Sequence, residues 1–190
     1  MSGPHDAPLP KRLVSDASLP PYSYVTGRFP HPLRDPAGHS YGHAPATPAP
    51  LDPTRWQQAR DYLWGCDLFN HGYYWEAHEV WEGLWHACGR QGFVADFLKG
   101  LIKLAAAGVK CREGRADGVR RHATRAAQLL DAATAGAGQT HFLGLDVPWL
   151  VETTRQLARQ PPASKMPAAP VEIVFGFQLW PSAEAEQAAK

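Results

Sequence analysis

The chain has 190 residues, 44% of them hydrophobic and 19% charged, which is typical of a globular protein with a buried core. Its 19 basic and 18 acidic side chains leave a formal net charge of +1, so no overall field attracts nucleic acid or an anionic membrane. The N-terminal sequence lacks the apolar stretch of a secretory signal, and no apolar run reaches the roughly 18 residues of a membrane-spanning helix. These features predict a cytoplasmic protein with no membrane partner.

The distribution of proline divides the chain into segments. Eleven of the 18 prolines lie in the first 50 residues, which therefore cannot be helical. The aromatic residues between Tyr22 and Tyr41 favour an arm that packs on the protein body, because exposed aromatic surface is unfavourable. The predicted segments are a disordered tail (1–19), an extended arm packed on the body (20–50), a helical domain (51–160) and a C-terminal extension (161–190).

Apolar residues recur at helical spacing through the body, and turn signals separate them into five helices. Asp52 and Pro53 are a typical start of the first helix. Trp81 and Trp85, both on the second helix, are predicted to be core residues that join it to the third. The predicted helices cover residues 53–70, 73–88, 93–112, 116–135 and 147–159. They predict an all-α fold, a compact bundle of about five helices with an extended Pro-rich N-terminal arm and a short extended C-terminal strip, VEIVFGFQLW.

The stretch FNHGYYWEAHEVWEGLWH, residues 69–86, places titratable side chains beside large apolar ones. His78 and Glu82 are four residues apart and share a helix face. Glu79 lies at the edge of that face, whereas Glu76 points elsewhere. We expect His78 and Glu82 to face the interior and to hydrogen-bond to each other, directly or through one partner.

A carboxylate and an imidazole one turn apart are common donors in the divalent-metal sites of helical bundles. The candidate metal ligands are therefore His78, Glu82 and, from the arm, His39, with zinc, manganese or iron as the cofactor. The candidate catalytic residues are His78, Glu79, Glu82 and Lys103. The alternative is a purely structural His–Glu pair, because a buried pair needs only one further partner to satisfy its hydrogen bonds.

The arm sequence HPLRDPAGHSYG offers polar side chains that can cover this cluster. Arg34, Asp35 and His39 are predicted to line a pocket as its lid, above a floor formed by the His/Glu cluster. The alternative is that an Arg34–Asp35 pair and local turn residues only fix the arm on the body.

Lys103 belongs to a lysine stripe on the third helix, together with Lys99 and Lys110. Such a stripe is typical of a solvated helix face. The alternative turns Lys103 toward Glu79 or Glu82, as a counter-ion or an anion-binding group. The arginines of the fourth helix form a basic patch with no interleaved aromatic residues, so nucleic acid binding is not expected.

Two motifs together resemble the domain-of-unknown-function family 309 (DUF309). They are FNHGYYWEAHEVWEGLW and the following FLKGLIKLAAAGVKCREG, and the resemblance extends from about Asp61 to Leu130. It implies a small all-α bundle and no particular activity or cofactor, and Lys103 occupies a position that is often glutamine in the family. The arm is similar to that of one bacterial subgroup. The signature positions that the resemblance implies are Asn70, Gly72, Tyr74, Glu76, His78, Glu79, Trp81, Glu82, Trp85, Gly100, Leu101 and Ile102.

Two functions remain open from the sequence. The first is a metal- or small-ligand-dependent enzyme, hydrolase-like, that uses a carboxylate or a metal-bound water. The second is a non-enzymatic scaffold or interaction module in which the His/Glu/Trp signature is structural. A small-molecule ligand and a monomer or small homo-oligomer are expected. The candidate binding residues are Asn70, Tyr74, Trp81, Trp85, Arg34, Asp35 and His39.

Overall fold

A computed structural model describes residues 10–43, 46–137, 140–162 and 169–182. It confirms the all-α prediction, because the described residues form a compact helical core and, beside it, only one hairpin with strands of two residues each. None of the helices in the described ranges is long and apolar enough to cross a membrane. The elements are a 3₁₀ helix (Pro53–Gln58), α1 (Arg60–Asn70), α2 (Tyr74–Ala87), α3 (Phe93–Arg112), α4 (Ala116–Ala137), β1 (His141–Phe142), β2 (Leu145–Asp146) and α5 (Val147–Arg159).

The first predicted helix is wrong as a single element. The chain instead forms the 3₁₀ helix and then α1, because Ala59 leaves the helical region with φ −80° and ψ 82°. Asp52 caps the 3₁₀ helix as predicted, since its carboxylate accepts from the Thr54 N–H at 2.9 Å. The hairpin was not predicted; its turn uses positive φ at Leu143 and Gly144, and a leucine gives no signal for such a turn.

α3 is the central helix of the bundle. It packs against α2 on one side and α4 on the other, while α1 packs on α2 and α5 on α4. Twelve of its 20 residues are buried, which explains why its sequence is nearly all apolar. The remaining partly exposed strip of α3 runs between α2 and α4 and carries the lysines.

Two glycines let the helices approach closely. A Cβ atom added to Gly65 of α1 would fall inside the indole ring of Trp81, and one added to Gly108 of α3 would fall inside the ring of Tyr74. Trp81 is fully buried, and its indole Nε1 donates to the Tyr62 carbonyl at 3.3 Å. The predicted core position of Trp81 is confirmed, but its ring packs on Gly65 and Phe69 and therefore joins α2 to α1, whereas the sequence predicted a contact with α3.

Buried polar side chains hold the N-terminal segment on the helices. The Asp67 carboxylate of α1 accepts from the backbone N–H groups of Leu13 at 2.9 Å and Val14 at 2.8 Å. Glu76 of α2 accepts from the Tyr24 N–H at 2.8 Å. The contact with Asp67 lies in the segment where the sequence predicts a disordered tail, and satisfying that buried carboxylate accounts for the order of residues 10–19. Residues 1–9 of that segment lie outside the described ranges.

The C-terminal strip is held in the same way. Asn70 forms a two-way pair with the backbone of Leu179, donating to its carbonyl at 2.9 Å and accepting from its N–H at 2.7 Å. The Tyr74 hydroxyl accepts from the Val174 N–H at 3.0 Å. The strip is extended along its described length but forms no strand within the described residues, since these side chains replace a strand partner.

Arg112, at the end of α3, binds both extended segments. Its buried guanidinium donates to the carbonyl of Ser23 at 3.1 Å, and to those of Ala169 at 3.0 Å and Pro170 at 3.3 Å. The two segments also contact each other, because the Ser23 N–H donates to the Pro170 carbonyl at 3.1 Å. Burial lowers the pKa of Arg112, while the negative charges of Glu172 and Glu76 raise it.

We expect Trp81→Ala to lower the free energy of unfolding by about 3–5 kcal/mol, because it leaves a cavity where a large buried side chain packed. Urea denaturation measures this change. Trp180→Ala is the matched control, since Trp180 is 41% exposed and should lose much less. Equal denaturation midpoints for the two variants would contradict the assignment of Trp81 to the core.

We expect Arg112→Met to destabilise the protein by about 2 kcal/mol or more, because the buried carbonyl of Ser23 and the partly buried carbonyls of Ala169 and Pro170 lose a charged donor. The arm should also become accessible, so trypsin should cleave after Arg28 or Arg34 faster than in the unchanged protein. Arg159→Met is the control, because the Arg159 guanidinium is exposed and forms a surface ion pair with Glu152. An unchanged cleavage rate in Arg112→Met would show that Arg112 does not hold the arm.

Candidate functional site

The charged residues of the signature stretch lie on two different faces of α2. Glu76 is buried under the N-terminal arm. It therefore points away from His78, Glu79 and Glu82, as the sequence predicted. His78, Glu79 and Glu82 are half-buried and form a cluster on another side of the helix. The difference follows from helical geometry, since two residues correspond to about 200° of rotation between Glu76 and His78.

The three ligand atoms of the cluster lie close together. One nitrogen or carboxylate oxygen from each of His78, Glu79 and Glu82 lies within 4.8 Å of the other two. Tetrahedral donors around zinc are roughly 3.3 Å apart at bond lengths of about 2.0–2.1 Å. Side-chain rotations that bring the ligand atoms about 1.5 Å closer together would therefore complete a coordination site. The cluster therefore offers one imidazole and two carboxylates, which are donor types that divalent transition metals bind.

The prediction that His78 and Glu82 face the interior is wrong. The His78 side chain is 25% exposed and that of Glu79 37%, so the cluster lies at the edge of the bundle. The contact of His78 Nδ1 is with Glu79 Oε1, at 3.4 Å, and not with Glu82. This Nδ1 is inaccessible to water and has no hydrogen-bond partner in the described part of the chain. Leaving such an atom unpaired costs about 1–3 kcal/mol.

His39 does not join the predicted metal ligands. Its Nε2 lies 3.4 Å from Glu76 Oε1, and its Nδ1 lies 2.9 Å from the Ser40 hydroxyl. The ring also packs edge-on against Tyr22, with centroids 4.8 Å apart. Because Glu76 and His78 diverge around α2, the same contact that docks His39 keeps it away from the His/Glu cluster.

The arm does not form the predicted lid over the cluster. Arg34 and Asp35 are exposed, and the Asp35 carboxylate accepts from the Ala37 N–H at 2.9 Å in a local turn. The arm instead covers the first turn of α2, where Tyr24 and Trp75 pack edge-on with centroids 5.3 Å apart. No ion pair between Arg34 and Asp35 occurs within the ranges that the structure describes.

The remaining candidate binding residues serve the fold. Asn70, Tyr74 and Trp81 are buried, and the side chain of each forms a hydrogen bond with a backbone group of another segment. Trp85 is half-buried at the edge of the core, with the Lys99 Nζ 4.7 Å from its ring centroid. The predicted core role of Trp85 therefore holds only in part.

His122 of α4 is a residue of the site region that the sequence did not single out. It is half-buried, and burial together with positive neighbours lowers its pKa to about 4. These neighbours are Lys103 and Lys110 of α3, Arg121 of its own helix and His78 of α2. In the sequence His122 stands in an arginine-rich run, so only the packing of three helices reveals its surroundings.

The lowered pKa of His122 predicts a pH dependence of stability. The ordinary histidine pKa is 6.5, so between pH 6.5 and about 4 the unfolded chain binds more protons than the folded protein. The free energy of unfolding should therefore fall as the pH drops through this range, by about 1–2 kcal/mol after allowance for solvent screening of a half-exposed group. His122→Gln should remove this part of the slope, while His86→Gln should keep it, as measured by urea denaturation at stepwise pH values.

The comparisons with curated proteins and with solved structures found no significant match. The family model described as "Domain of unknown function (DUF309)" matches residues 62–122, which run from α1 into α4. The matched range contains the whole His/Glu cluster and ends at His122. The resemblance inferred from the two helical motifs is thus confirmed over residues 62–122, where the chain is similar to the DUF309 family.

Proposed function

We propose that this protein binds a divalent transition-metal ion through His78, Glu79 and Glu82 and uses it for hydrolysis. The single observation that carries the proposal is the convergence of three suitable ligand atoms within 4.8 Å at an accessible edge of the bundle. Three protein ligands leave at least one coordination position for water or substrate, which is typical of catalytic rather than structural metal sites.

The different uses of the two halves of the signature stretch support this proposal. Asn70, Tyr74 and Glu76 bind backbone groups of the extended segments, so the fold accounts for them. The fold does not account in this way for His78, whose buried Nδ1 has no hydrogen-bond partner among the described residues. A metal ion would give that nitrogen a partner.

The reaction that such a site performs is attack of a metal-activated water on an ester or amide. A divalent ion held by His78, Glu79 and Glu82 would supply Lewis-acid activation of a water molecule, whose proton would leave to solvent or to a carboxylate of the cluster. The water oxygen forms a bond to the carbon or phosphorus centre, the bond to the leaving group breaks, and the leaving group takes up a proton. The Glu79 side chain is 37% exposed, against 25% for His78. A carboxylate oxygen of Glu79 that does not bind the metal could therefore exchange that proton with water.

Metal binding is tested by elemental analysis of protein purified without an affinity tag, followed by titration calorimetry with Zn²⁺ and Mn²⁺. We expect one ion per chain, with binding at least about 100-fold weaker in His78→Gln and Glu82→Gln, because each loses one of only three donors. The metal-free variants should be as stable as the unchanged protein. His86→Gln is the matched control, since His86 is exposed on the same helix and outside the cluster.

Two outcomes would contradict the metal proposal. One is the absence of binding by the unchanged protein at millimolar metal. The other is equal affinity in His78→Gln and His86→Gln, which would assign binding to groups outside the cluster. The hydrolytic step is tested separately with chromogenic phosphate esters, carboxylic esters and anilides in the presence of the bound metal. If metal binds and none of these substrates is hydrolysed, the hydrolase assignment falls and the metal site stands.

A further inference from the structure

The register of α2 against α3 places Lys103 beside the His/Glu cluster. The two helices are antiparallel, because Trp85 packs under Lys99 near one end and Tyr74 packs against Gly108 near the other. Interpolating between these two contacts at about 1.5 Å per residue puts Lys103 level with the middle of α2. The cluster occupies that same part of α2.

The register of α4 against α3 brings a second group to the same face. Gly118 lies against the side chain of Lys110, and Leu130 lies against Gly100, so these helices are antiparallel too. His122, one turn after Gly118, is therefore about one turn of α3 from Lys110, toward the middle of α3. The partly exposed strip of α3 thus separates the His/Glu cluster on α2 from His122 on α4.

Lys103 differs from the other two lysines of its stripe. The Lys110 ammonium pairs with the Glu113 carboxylate at 2.7 Å, and the Lys99 ammonium lies over the Trp85 ring. No ion pair of Lys103 occurs within the described part of the chain, although the side chain is half-buried. The ammonium of Lys103 is therefore available to bind an anion at the border of the cluster, where the partly buried stem of the side chain holds it against the bundle.

We propose that Lys103 and His122 form the anion-binding half of the site and that its substrates are phosphate esters. This rests on the proposed function, since the metal at the cluster would bind one phosphoryl oxygen while Lys103 binds another. An ammonium and a metal on opposite sides of a phosphoryl group suit the charge that develops on its oxygens during hydrolysis. His122 supplies a neutral N–H donor at neutral pH, and Lys110 and Arg121 add positive charge around it.

Phosphate is favoured over a carboxylic ester or a peptide by the charge balance of this face. Neutral esters and amides offer Lys103 no negative charge to bind, whereas a phosphate ester does. A phosphate monoester brings about two negative charges. The two carboxylates of the cluster already balance a divalent ion, so the compensating charge would come from Lys103 and from the neighbouring Arg121. The site would therefore select charged over neutral substrates through Lys103, which lies on the helix next to the one that carries the metal ligands.

The test is titration calorimetry with inorganic phosphate, carried out with and without the metal that binds best to the unchanged protein. We expect a dissociation constant below about 1 mM with metal present. Lys103→Gln should weaken phosphate binding at least about 10-fold, while Lys103→Arg keeps most of it. Lys99→Gln is the matched control, because Lys99 lies on the same stripe but rests on Trp85. Metal affinity, measured in phosphate-free buffer, should stay within about two-fold in all three variants, since none removes a metal ligand.

Equal phosphate affinity in Lys103→Gln and Lys99→Gln would overturn the proposal, as would the absence of phosphate binding to the metal-loaded protein. Circular dichroism melting of each variant shows whether a loss of binding reflects unfolding, and Lys103→Arg provides the folded comparison. Failure of the metal proposal gives a different result, because no metal titrates in phosphate-free buffer. Phosphate binding to the metal-free protein that is lost in Lys103→Gln would then still support the anion-binding half.

Discussion

Hydrogen bonding of extended backbone by buried side chains is the constraint on which the whole structure depends. Arg112 shows it most clearly, because one buried guanidinium serves carbonyl groups from both ends of the chain. Extended segments that pack on a helical bundle have no strand partner, so their N–H and C=O groups need other donors and acceptors. Asp67, Asn70 and Glu76 supply them from α1 and α2. These buried polar groups turn a helical bundle and two irregular segments into one unit.

This arrangement explains why one short stretch of sequence carries both structural and chemical groups. The end of α1 and the first turn of α2 face the extended segments, and their polar side chains are consumed by backbone contacts. Half a turn later the helix faces the partly exposed strip of α3, where the His/Glu cluster lies. Glu76 holds His39 of the arm on the other face of α2, away from the cluster. The end of the arm returns to α2, where Pro48 lies against Gly83.

The central position of α3 places Lys103 and His122 of the proposed site across from the His/Glu cluster. A helix buried between two neighbours can expose only a narrow strip, and in α3 this strip carries the lysines. The neighbours contribute the cluster on one border of the strip and His122 on the other. Packing against Trp81 and Tyr74, with glycines at the closest approaches, holds α1, α2 and α3 rigidly enough to maintain these positions.

Local patterns determined much of this protein from its sequence. The bounds of α2 to α5 follow from helical spacing, caps and turn residues, because these signals involve neighbours along the chain. The grouping of His78 with Glu79 and Glu82 follows from helical geometry for the same reason. The break at Ala59 and the hairpin at Leu143 were not predicted, because the backbone angles at these positions are not ones that alanine or leucine indicates in a sequence.

Only the tertiary structure decided which side chains meet across segments. His39 binds Glu76 and not the cluster, and His122 lies among charges from three helices. Spacing along the chain cannot predict such contacts, because they depend on how helices are rotated and staggered against each other. The sequence therefore determined which helices form and which residues share a face of α2. Packing determined that the arm binds the Glu76 face of α2 and that the His/Glu cluster lies on another face.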